Sequence, residues 1–174
     1  GNPSSMHAFG GRIGDDLAHA RERVAAFLNC EPDEVLFTSC ATESDNTALR
    51  GSADWYGREM KIITTAVEHP AVLQPARALK ARGHDVVELP VDGVGQIDLD
   101  RLRAELKGTR HALVSVMWAN NETGVIFPIR KIAELGKAAG ATIHTDAVQA
   151  AGKLAINVKD VPVDLLTIAG HKMH

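Results

Sequence analysis

The chain has 174 residues and a formal net charge of −3 at pH 7, enough for about one domain with a sizeable core. Aromatic residues make up only 4% and no run of Lys or Arg is long, which argues against a nucleic-acid surface. No apolar stretch reads as a membrane span or a signal peptide.

Gly1-Asn2-Pro3-Ser4-Ser5 is turn-like. Leu17, Ala20, Val24, Ala25 and Leu28 recur at helical spacing and predict a helix from Gly14 to Leu28. Glu34 to Thr38 predicts a strand, Ala41 to Ala53 a helix, and Lys61 to Ala66 the next strand. A helix from Pro70 to Arg82 stops at Gly83. Asp85 to Val91 predicts a strand, Gly93-Val94-Gly95 a turn, and Asp98 caps a helix to Leu106. His111 to Trp118 is a long apolar strand, followed by the polar turn Asn120 to Gly124. Pro128 to Ala139 is a helix, and Thr142 onward and Val163 to Ile168 are the last two strands. Strands alternating with helices predict an α/β fold with a mainly parallel sheet and helices on both faces. Sites in such sheets lie outside the carboxyl ends of the strands.

Cys30 and Cys40 lack CxxC spacing and read as small buried residues of a reducing, cytoplasmic protein. The chain opens on Gly1 without a methionine and stops soon after Lys172, so it reads as a piece of a larger protein.

The chemistry-bearing residues follow the strands. Ser39 to Ser44 opens a helix whose free N–H groups and hydroxyls can cradle a phosphate, although Ser and Thr are also ordinary caps. His69 follows one strand and could stack on a flat ring or face solvent. Asn120 and Asn121 follow another, as turn formers or as amide donors. Asp146 and Gln149 follow a third, and Lys172 the last. Alone, Asp146 reads as a helix cap and Lys172 as a surface lysine. Together, an amine for a Schiff base, an acid for a pyridinium nitrogen, a phosphate cradle and a stacking imidazole compose a pyridoxal phosphate (PLP) site. His171-x-x-His174 and His144-x-Asp146 lack the spacing of zinc sites, and no metal is expected.

Gly1-Asn2-Pro3-Ser4-Ser5, Phe37 to Asp45, Val67 to Val72, Ser115 to Gly124, His144 to Gln149 and Gly170-His171-Lys172 carry a resemblance. In that order they resemble the cysteine desulfurases of the class V aminotransferase group, nitrogen-fixation type. The resemblance implies a PLP-dependent transferase fold type I large domain over residues 1–174, with an N-terminal segment and a small C-terminal domain missing. It implies that Lys172 carries PLP and moves protons, and that His69 stacks on the ring and shares acid–base steps. Asp146 would pair with the ring nitrogen and Gln149 with the phenolic oxygen. Ala41, Thr42 and His171 would hold the phosphate, and Asn121 would touch cofactor and substrate. The implied reaction turns L-cysteine into alanine and an enzyme persulfide, passed to an iron–sulfur scaffold protein by a cytoplasmic homodimer.

Two departures stand out. Ala169 replaces a serine common in relatives, and Cys40 replaces a glycine of the phosphate turn. The attacking cysteine and the substrate-binding arginine would lie beyond His174, so residues 1–174 alone are expected to be inactive. A selenocysteine lyase or another class V PLP enzyme is the alternative within enzymes. A non-catalytic structural piece is the alternative outside them.

Overall fold

The computed structural model describes residues 8–173. The turn expected at residues 1–5, and His174, lie outside them. The chain divides into two compact units: Gly1–Phe37 with Ile156–Asp160, and Thr38–Ala155 with Val161–His174.

The first unit is built on α1 (Ala8–Leu28), which starts before the expected Gly14. Gly10 and Gly11 weaken the local helical signal without ending the helix. Its periodic residues Ala25 and Leu28 are buried, whereas Leu17 is partly exposed. A 3₁₀ turn, Pro32–Glu34, follows. The strand expected over Glu34 to Thr38 is not formed. Val35 is extended, but the segment has no ladder partner among the described residues. Arg21 donates instead to the Val35 carbonyl and lies 5.0 Å from the centre of the Phe37 ring. β-branched and aromatic residues set an extended backbone, but only a neighbouring strand makes it a ladder.

The second unit begins with α2 (Ala41–Tyr56) and continues β1 (Met60–Thr65), α3 (Pro70–Ala81), β2 (Val86–Leu89) and α4 (Leu99–Leu106). Then come β3 (His111–Ser115), α5 (Ile129–Ala138), β4 (Thr142–Asp146) and β5 (Leu165–Thr167). All five strands are parallel, in the order β2-β1-β3-β4-β5. β2 lies to one side of β1, and β3, β4 and β5 follow on the other. That reversal puts a crevice at the carboxyl ends of β1 and β3, where ligands of open α/β sheets bind.

The core forms where α2 and α3 cover the sheet. Leu49, Met60, Ile62, Val72, Ala76 and Leu113 are each fully buried. Gly136 lets α5 approach β4, since a Cβ there would collide with Ile143. Asp98 caps α4 as expected, accepting from the N–H groups of Asp100 and Arg101. Asp92 closes the Gly93–Gly95 turn by accepting from Val94 and Gln96. Residues 116–118 leave the regular ladder of β3 but still pair with β4: Trp118 N–H donates to the Asp146 carbonyl at 2.8 Å. β5 is three residues long, shorter than the apolar run that predicted it. No helix among the described residues is long and apolar enough to cross a membrane.

Candidate active site

The start of α2 and the carboxyl ends of β1, β3, β4 and β5 surround a cavity of about 330 Å³. Ala41, Thr42, His69, Asn121, Asp146, Gln149, His171 and Lys172, the residues to which the family resemblance gives a role, all line it. Cys40, expected in the phosphate turn, lines it too, and so do Asp45 and Met117, neither of which is assigned a role from the sequence. A larger groove of about 670 Å³, lined by α4 and α5, offers Arg103 and Lys107 over apolar Leu106 and Leu135. Its Asp100 is paired with Arg103 and its Thr109 hydroxyl donates to the Leu106 carbonyl, so size does not make it the site.

At α2 the first helical bond runs from Ser44 N–H to the Cys40 carbonyl, leaving the N–H groups of Ala41, Thr42 and Glu43 outside the helical ladder. Two hydroxyls offered by the sequence are already used. Ser39 donates to Glu43 through Oγ and N–H, both at 2.6 Å, and Ser44 pairs with Thr38 at 2.7 Å. The Thr42 hydroxyl has no hydrogen-bond partner among the described residues and remains for a ligand.

Neither cysteine is buried, contrary to expectation: Cys30 is half-buried and Cys40 exposed. Cys40 stands at the N-cap of α2. The N–H of Glu43, the Ser39 hydroxyl and the N–H of Thr42 hold its thiol below the usual range. Cys30 is pushed up, by burial first and by Glu34 second.

His69 is the N-cap of α3, with Pro70 behind it at the first helical position. Its Nδ1 accepts the Ala71 N–H at 3.1 Å, so the neutral ring carries its proton on Nε2. Glu68 is buried between the ends of β1 and β3. It accepts the Thr65 hydroxyl at 2.6 Å and the Met117 N–H. Burial raises this carboxyl to about 8. Nothing in the word Glu-His-Pro marks Glu68 as the buried member; only the three-dimensional packing does.

The paired asparagines divide their work. Asn120 builds the turn: its Oδ1 accepts from the N–H groups of Glu122 and Thr123, and its Nδ2 donates to the Val67 carbonyl. Asn121 is thereby left for the cavity.

Asp146, 6% exposed, ends β4. Its Oδ1 accepts the Val148 N–H at 2.9 Å, the cap geometry of the plain reading. Its second oxygen has no partner among the described residues. Burial raises its ionisation range, with Val148 and then His69 acting against that rise. Lys172 closes a 3₁₀ turn, Gly170–Lys172, after β5. Its carbonyl accepts from Lys153 Nζ at 3.4 Å, and His171 beside it is exposed. Among the described residues no group of three or more His, Cys, Asp or Glu could hold a metal.

A strand-end site on a parallel α/β sheet, with an amine, a buried acid and a helix N-terminus in one cavity, defines a class that the comparisons make specific. The model of the class V aminotransferase family matches residues 1–174, and the chain belongs to that family. It is similar to a cysteine desulfurase of Trichormus azollae, 52% identical over all of this chain and 43% of that protein. A solved NifS-like protein superposes with a TM-score of 0.95 at 38% identity, covering 100% of this chain and 48% of that one. SspA in complex with cysteine superposes with a TM-score of 0.94 at 33% identity, covering 99% of this chain and 50% of that one. The chain thus spans less than half the length of the curated relative.

Proposed function

We propose that this chain is the PLP-binding part of a cysteine desulfurase that takes sulfur from L-cysteine. The observation that carries it is the meeting of Lys172, Asp146 and the open α2 N-terminus in one cavity. The donor set fits PLP. The cavity is within the roughly 300–1,000 Å³ of small-molecule sites. The Ala41 and Thr42 N–H groups with the Thr42 hydroxyl suit a phosphate dianion. A buried carboxylate with one free oxygen suits a protonated ring nitrogen. Class V membership supports the cofactor, and the solved relative described with bound cysteine supports the substrate.

When bound, PLP supplies an electron sink for charge developing on the substrate carbon. The remaining chemistry falls to the chain. Lys172 Nζ holds the cofactor, then takes and returns the substrate proton. The Asp146 carboxylate keeps a proton on the ring nitrogen. His69 would cover one ring face, and Gln149 would donate to the phenolic oxygen. Ala41, Thr42 and His171 anchor the phosphate, and Asn121 orients the substrate carboxylate. The net reaction gives alanine and a persulfide on a cysteine thiol that is neither Cys30 nor Cys40. The homodimer, the iron–sulfur scaffold acceptor and the cytoplasmic setting follow from the family resemblance alone. The test is alanine formation from L-cysteine by the intact protein with PLP. Its absence would overturn the reading.

A further inference from the structure

A row of buried polar groups lies under the cavity with no part in the chemistry above. Ser115 on β3, His144 on β4 and Thr167 on β5 span the sheet, and Asp45 meets them from α2. Their exposures are 0%, 1%, 2% and 1%. His144 Nδ1 is 2.8 Å from Ser115 Oγ, and Nε2 is 3.2 Å from Thr167 Oγ1. Asp45 Oδ1 is 3.6 Å from the same Nε2, too long for a direct hydrogen bond, and has no donor among the described residues. A buried carboxylate oxygen without a donor is costly, and a proton on the carboxyl removes most of that cost. The same four elements carry the cavity: Thr42 is on α2, Asn121 follows β3, Asp146 ends β4 and Lys172 follows β5.

We propose that Asp45 is a positioning residue of this site, and that the presence or absence of its proton sets the direction of every hydrogen bond in the Ser115–His144–Thr167 row beneath Asp146. The link to the cofactor rests on the reading of Asp146 given above; the row itself does not.

Burial holds His144 neutral, its range lowered to about 4, so its contact with Asp45 is not an ion pair. A neutral imidazole has one N–H and one lone pair. With Asp45 protonated, its hydroxyl feeds Thr167 Oγ1, Thr167 donates to Nε2, and the ring proton sits on Nδ1 facing Ser115. With Asp45 ionised the order reverses: Ser115 donates to Nδ1, and Nε2–H faces Thr167 and the carboxylate. Burial first, and the charge of Asp146 second, raise Asp45 to about 7, against a lowering by the Thr167 hydroxyl. The charge of Asp45 in turn helps raise Glu68 at the end of β1, and His69, His171 and Lys172 share the Asp45 cavity. Two neighbouring buried carboxyls do not both ionise readily, so a proton on Asp45 leaves the negative charge to Asp146.

The experiment is solid-state NMR of the intact, PLP-loaded protein labelled with ¹⁵N-histidine, across roughly two pH units on either side of neutrality, a span that brackets the titration. A His144→Gln variant identifies the signal. The expected result is a His144 ring that stays neutral while its proton moves from Nδ1 to Nε2 as pH rises. In Asp45→Asn the proton should stay on Nδ1 throughout, because an amide donates but cannot ionise. One tautomer across the whole wild-type series would overturn the proposal, as would a pH-driven exchange that survives Asp45→Asn. Should that variant fail to fold, Thr167→Val decides: loss of the exchange supports the row, and its persistence rejects it. Failure of the Asp146 reading shows separately, as unchanged PLP affinity in Asp146→Asn.

Discussion

Glu68 receives the Met117 N–H at 3.0 Å on each carboxylate oxygen, tying the end of β1 to the end of β3 inside the protein. Met117 lines the cavity and His69 is the next residue after Glu68, so this contact sets both walls. Burial lifts Glu68 from an ordinary 4.5 to about 8. Between those values the folded state binds a proton that the unfolded state has lost, so stability falls as pH rises through the window, by up to ~1.4 kcal/mol per pH unit. Glu68→Gln should flatten that slope in thermal melts at pH values from 5 to 9, a range of about four units. A slope as steep in the variant as in the wild type would assign it to other groups.

Gly136 gives a purely steric expectation. Gly136→Ala places a methyl group against Ile143, and overpacking of this kind costs roughly 1–3 kcal/mol. The midpoint of urea unfolding should fall. An unchanged midpoint would mean that α5 shifts freely on the sheet.

The fold was legible because its signals were local. Asp98, Gly83 and Pro128 marked helix ends, and apolar runs marked the strands. What failed was pairing: Val35 to Phe37 have strand-forming residues, but ladder formation depends on a neighbour distant in sequence. The candidate site was legible where a residue stands at or just past a strand end, as His69, Asp146 and Lys172 do, and these three share one cavity. Asp45 and Glu68 were not, because a carboxylate inside a helix or before a histidine looks solvated until the packing buries it. The choice between Asn120 and Asn121 likewise depended on which one the turn consumed.

Lys172 is the expected covalent anchor. Borohydride treatment of the intact protein with PLP should fix the cofactor, and peptide mapping should place it on Lys172. Lys172→Ala should lose the fixed label and turnover together. A label on Lys153, whose Nζ lies 3.4 Å from the Lys172 carbonyl, would move the anchor.

Asp146→Asn removes the countercharge for a protonated ring nitrogen while keeping the shape and the acceptor for the Val148 N–H. Loss of one preorganised electrostatic partner costs roughly 10²–10³ in turnover. The variant should fold, bind PLP more weakly and turn over slowly. Wild-type rates would leave Asp146 as the cap that its Val148 contact alone describes.

Cys40 is the residue most able to contradict the proposed division of labour. It is exposed, lines the cavity, and has a thiol lowered by the same α2 N-terminus that would bind phosphate. A lowered thiol raises the share present as thiolate, and a thiolate is the nucleophile that sulfur transfer requires. The protein by itself thus favours the charge that a bound phosphate would oppose, since two anions would share the same donors. Two results follow for the intact protein. Iodoacetamide should alkylate Cys40 faster without PLP than with it. Cys40→Ala should still release sulfide from L-cysteine in the presence of dithiothreitol if, as proposed, the attacking thiol belongs to another cysteine. Sulfide release that vanishes in Cys40→Ala, with PLP still fixed on Lys172, would make Cys40 the nucleophile.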